Sequence, residues 1–113
     1  MRTVKPGMCV VTALAVAALA AGALASQGAP AADAKVQIDQ YAFLPQRITV
    51  KPGTTVTWTN DDDETHTVTA TDRAYTSSGL EHAERYAHRF TARGTYTYFC
   101  ALHPHMTATV VVR

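Results

Sequence analysis

From Lys35 to the C-terminus, apolar and polar positions alternate in short runs of period two. Val36 and Ile38 stand between polar neighbours, and Ile48 and Val50 repeat the pattern. Thr54 to Thr59 puts Val56 and Trp58 on one face and threonines on the other. Thr65 to Ala70 is a short, threonine-rich run, and Tyr86, His88 and Phe90 alternate with Ala87 and Arg89. Thr95 to Cys100 and Thr107 to Val112 complete the series. Lys51-Pro52-Gly53 and Ala92-Arg93-Gly94 punctuate it as turns. This spacing predicts an all-β fold, a Greek-key antiparallel β-sandwich, with at most one helical turn within residues 77–84. No internal repeat interrupts it.

The first quarter of the chain has a different character. Arg2 and Lys5 precede a run from Met8 to Ala21 that is apolar except for Thr12, and Ala23-Leu24-Ala25 supplies a small-x-small cleavage pattern before Ser26. Residues 1–25 therefore read as a cleavable signal helix, 26–34 as a linker, and 35–113 as the folded domain. Cleavage after Ala34 fits the same rule. An uncleaved anchor is the competing reading, but the run is mainly alanine and lacks a basic stop-transfer cluster. Periplasmic localisation is the expectation, with no stable membrane insertion after cleavage.

Charge and cysteine content narrow the options. The 113 residues carry 10 Lys+Arg and 9 Asp+Glu, a net charge of +1, which speaks against a basic nucleic-acid binder. Of the 2 cysteines, Cys9 falls within the signal, so the exported domain has Cys100 alone and no internal disulfide. A lone thiol in an oxidising compartment asks for a chemical role.

Cys100-Ala101-Leu102-His103-Pro104-His105-Met106 offers that role. Thiolate, imidazole and thioether stand at positions 0, +3 and +6, and Pro104 stiffens the backbone between them. Two soft sulfurs with imidazole favour copper, and a Cys, two His and a distant Met form the blue-copper donor set. His66, after the polar turn from Asn60 to Glu64, is the candidate second imidazole. His105 competes with His103, but Met106 would then follow its neighbour with little slack; His103 is preferred. His82 and His88 read as exposed or half-buried side chains rather than ligands. The acidic run from Asp61 to Glu64 reads as a solvated turn, or as a surface that steers a cationic partner.

Three stretches resemble the small cupredoxins of the plastocyanin/amicyanin family, amicyanin more than plastocyanin. They are Val56-Thr57-Trp58-Thr59-Asn60 followed by His66; Ser78-Gly79-Leu80 followed by Tyr86 and Phe90; and Gly94 to Cys100 running into the Cys-x2-His-x2-Met loop. Trp58 and His66 stand eight positions apart, as in amicyanin, and the loop has amicyanin's length. The resemblance implies one type 1 copper ion held by His66, Cys100, His103 and Met106. It also places Asn60 as the residue tying the two ligand-bearing loops together near the Cys100 sulfur. The acidic run before His66 and the presence of His105 depart from the family pattern.

The function so implied is non-enzymatic. It is a monomeric one-electron carrier exchanging electrons with a c-type cytochrome or a periplasmic dehydrogenase through the edge of His103. The rival readings are a copper-delivery protein using the same ligands and a metal-free adhesion-like sandwich with a chance loop.

Overall fold

The computed structural model describes residues 32–113, and Thr3 by itself; the rest of the signal segment, Cys9 included, and residues 26–31 of the linker lie outside the described residues. Eight strands follow in chain order: β1 Asp33–Asp39, β2 Ala42–Leu44, β3 Arg47–Val50, β4 Thr54–Asn60, β5 Thr69–Ala70, β6 Arg85–Phe90, β7 Gly94–Phe99 and β8 Thr107–Val112. They form two four-stranded sheets, ordered β2-β1-β4-β6 and β3-β8-β7-β5. No helix lies among the described residues.

Period-two alternation explains which side chains face inward. In β4, Thr54, Val56, Trp58 and Asn60 are buried while the intervening threonines are half-exposed. In β1 the same alternation buries Val36 and Ile38, and in β6 it turns Tyr86, His88 and Phe90 inward. Trp58 is the hub between the sheets, with Tyr98, Tyr86 and Phe90 ring centroids 5.4, 5.8 and 6.4 Å away. Gly53, at φ +91°, makes the turn from β3 to β4 and donates its N–H to the Phe90 carbonyl.

Four features depart from what alternation predicts. Two of the strand pairs, β1 with β4 and β3 with β8, are parallel. The chain changes sheets between β2 and β3 and again between β3 and β4, so β4 returns alongside β1 in the same direction. The first strand begins at Asp33, inside the segment expected to be a linker, because Asp33 and Ala34 pair with Thr55 and Val56. Residues 77–84 hold no helical turn: Leu80 bridges to His66, and Glu81 to Glu84 close a tight turn with Ala83 at φ +67°. Finally, the run from Thr65 to Ala70 contributes only Thr69 and Ala70 to a strand. Its preceding backbone N–H groups are spent elsewhere, on the site described next.

Candidate metal centre

The turn after β4 and the loop between β7 and β8 meet at one end of the sandwich. Cys100 follows directly on β7, where the inward phase of Tyr98 continues two positions on, so its sulfur is wholly buried. The loop that follows is closed on itself. The N–H of His103 donates to the Cys100 carbonyl at 3.2 Å, that of Met106 to the His103 carbonyl at 2.9 Å, and that of Cys100 to the Met106 carbonyl at 3.0 Å. Two successive turns thus bring positions 100, 103 and 106 to the same side, with Met106 buried and His103 half-buried.

His66 reaches the loop from the segment between β4 and β5. Its backbone exchanges hydrogen bonds with Leu80, N–H to carbonyl at 3.1 Å and the reverse at 2.7 Å. Its Nδ1 lies 3.7 Å from Cys100 Sγ, and His103 Nδ1 lies 3.6 Å from the same sulfur. The donor atoms of His66, Cys100 and His103 fall within 4.8 Å of one another. Separations of this size fit donors that each stand roughly 2.0–2.3 Å from one shared first-row ion. The chemistry fits as well: a buried cysteine sulfur with two imidazoles, and a thioether on the same loop, is a soft set suited to copper. The group could hold one copper ion.

Of the two loop histidines, His103 joins this group, whereas the side chain of His105 is exposed and lines a shallow groove with Tyr41, Leu44 and Met106. His82 is exposed, with Nδ1 at 3.2 Å from the Asp62 carbonyl oxygen. His88 is half-buried and stacks on Tyr75 at 4.3 Å, where burial pulls its pKa below the ordinary value.

The residue that ties the two loops is Thr67, and not Asn60. The Thr67 N–H donates to Cys100 Sγ at 3.3 Å, and its Oγ1 accepts the Ala101 N–H at 2.7 Å. Val68 N–H goes to Ser77 Oγ at 2.8 Å. These bonds are why the strand expected from Thr65 is cut to two residues. Asn60, wholly buried, instead braces the turn before His66. Its Nδ2 donates to the carbonyls of Glu64 and Leu80, each at 2.8 Å, and its Oδ1 accepts the Asp62 N–H at 2.9 Å.

Two further residues escaped sequence reasoning. Asp62 Oδ2 stands 2.8 Å from His66 Nε2. Burial pushes the Asp62 carboxyl upward, but the N–H groups of Tyr41 and Gln40 and the His66 ring together hold it below the ordinary carboxylate range. Tyr41 sets its ring edge-on to both imidazoles, 5.2 Å from His66 and 5.0 Å from His103. An acidic residue four positions before a histidine was the available signal for Asp62; nothing marked Tyr41.

Fold and site together define a β-sandwich with a copper-type donor group at one end. Comparison with known proteins agrees: the family model for the cupredoxin-like domain matches residues 10–112. The chain is 39% identical over 104 residues to amicyanin-alpha of Methylorubrum extorquens, covering 87% of each protein. Among solved structures, a purple cupredoxin from Nitrosopumilus maritimus superposes with a TM-score of 0.69 at 32% identity, covering 72% of this chain and all of that one. An amicyanin mutant in its Cu(I) form superposes with a TM-score of 0.68 at 32% identity, covering 79% of this chain and 89% of that one. The protein belongs to the cupredoxin family.

Proposed function

We propose that this protein is a periplasmic one-electron carrier that holds a single type 1 copper ion through His66, Cys100, His103 and Met106. The observation that carries the reading is one buried cysteine sulfur flanked at 3.6–3.7 Å by two imidazole nitrogens, one ring enclosed and the other half-exposed. The ion supplies a couple between Cu(I) and Cu(II). The chain's residues supply a frame. Thr67 pins the sulfur and the start of the loop, the closed turns fix His103 and Met106, and Asn60 braces the approach to His66. Groups held by so many bonds rearrange little, which favours electron exchange.

The half-exposed edge of His103 is the route in and out. Around it lie Leu102, Pro104, His105 and Tyr41, all exposed, a largely apolar surface suited to brief encounters of small area. The partners are other redox proteins, a c-type cytochrome or a periplasmic dehydrogenase. No catalytic role is assigned to the site. Rapid mixing of the copper-loaded protein with reduced cytochrome c tests the proposal. Fast, reversible oxidation of the cytochrome with copper retained supports a carrier. Slow exchange, with copper surrendered readily to a chelator, supports copper delivery instead.

A further inference from the structure

An imidazole can donate to a metal only through a nitrogen that carries no proton, and a neutral ring has two tautomers to choose between. For His66 the choice is made on the side away from the sulfur. Asp62 Oδ2 lies 2.8 Å from Nε2, and an ionised carboxylate only accepts, so the proton belongs on Nε2. Nδ1, 3.7 Å from Cys100 Sγ, is then bare.

The carboxylate is itself held from several directions. Its Oδ1 accepts the Gln40 N–H at 2.7 Å and its Oδ2 the Tyr41 N–H at 2.9 Å, while the Asp62 N–H donates to Asn60 Oδ1 at 2.9 Å. Gln40 and Tyr41 form the two-residue turn between β1 and β2 at φ of +50° and +58°, a region that is unfavourable for a residue with a Cβ. The two N–H bonds to Asp62 offset that cost, and the turn they stabilise sets the Tyr41 ring against His66 and His103. Asp62 is unlike its neighbours: Asp61, Asp63 and Glu64 are exposed, and none of them has a hydrogen bond or ion pair with the His66 ring.

We propose that Asp62 is a positioning residue that fixes His66 with its Nδ1 lone pair toward Cys100 and, through the same carboxylate, holds Tyr41 over both imidazoles. This rests on the proposed function only in taking His66 as a metal donor. A carboxylate on the far nitrogen passes negative charge to the ring and strengthens it as a donor, which favours Cu(II) over Cu(I).

The test starts from the full, metal-free protein, with the His66 tautomer read by nitrogen-resolved NMR at mildly alkaline pH. The proton is expected on Nε2; finding it on Nδ1 in the unaltered protein overturns the proposal without any variant. Asp62→Asn offers one oxygen and one amide where two oxygens stood, and should move His66 toward the Nδ1–H form. It should also lower Cu(II) affinity on the order of tenfold while Cu(I) affinity falls less. Asp61→Asn removes the same charge one position away and should leave tautomer and affinities unchanged. Equal losses in the two variants, or an unaltered tautomer in Asp62→Asn, would refute the inference. Because the tautomer is read without copper, a protein that keeps it but exchanges no electrons would sink the carrier reading and leave this one standing.

Discussion

Thr67 touches the sulfur with its backbone and the following loop with its side chain, so one residue sets where Cys100 sits relative to His66. Thr67→Ala keeps the N–H to sulfur but strips the Ala101 N–H of its acceptor. A loss of about 1–2 kcal/mol in denaturant unfolding of the metal-free protein is expected, with Thr67→Ser restoring most of it. Met106 is buried on the closed loop, and Met106→Leu should shift the reduction potential in voltammetry more than it weakens copper binding. The convergence of His66, Cys100 and His103 was legible in the sequence because a lone cysteine and a histidine are unusual at that spacing. Thr67 was not. It is one of four threonines at alternate positions from Thr65 to Thr71, and only the folded arrangement shows which of them meets the sulfur. Asn60 invited the wrong role for the same reason: its burial was predictable from Val56 and Trp58, its partners were not.

At the scale of elements, the turn from Asn60 to Thr65 matters more than its polar sequence suggests. Asn60 supplies three side-chain hydrogen bonds that hold it against Leu80 and beneath His66. Asn60→Ala removes the donor to the Glu64 carbonyl, one of the two donors to the Leu80 carbonyl and the acceptor of the Asp62 N–H; a destabilisation of about 2 kcal/mol is expected by chemical denaturation. Strand existence and facing followed from alternation, since period two dictates which side chains face the core. Strand direction did not. Parallel pairing of β1 with β4 depends on where the chain changes sheets, and no residue announces that. The shortening of β5 was equally hidden, because its backbone donors are diverted to a sulfur and a serine hydroxyl rather than to a neighbouring strand.

At the scale of the molecule, the sandwich buries Trp58 among tyrosines and leaves the hydroxyls of Tyr75 and Tyr98 without a hydrogen-bond partner among the described residues. Burial pushes the Tyr98 phenol up to about 12. Unfolded tyrosine ionises near pH 10, so above that point the unfolded chain binds fewer protons and stability falls until the folded pKa is passed. The difference between folded and unfolded phenol is worth about 2–3 kcal/mol. Tyr98→Phe should make thermal stability fall less steeply across pH 10–12, with Tyr75, also pushed up by burial, keeping part of the fall, and at neutral pH should be neutral or slightly stabilising, since it removes an unpaired buried hydroxyl.

Copper binding by the folded state is the claim on which the functional account rests, and the visible absorption spectrum of the Cu(II)-loaded protein tests it most directly. An intense thiolate-to-copper band that vanishes in Cys100→Ser is the expected result. A protein that binds Cu(II) yet stays colourless, or keeps its colour without the thiol, would contradict it.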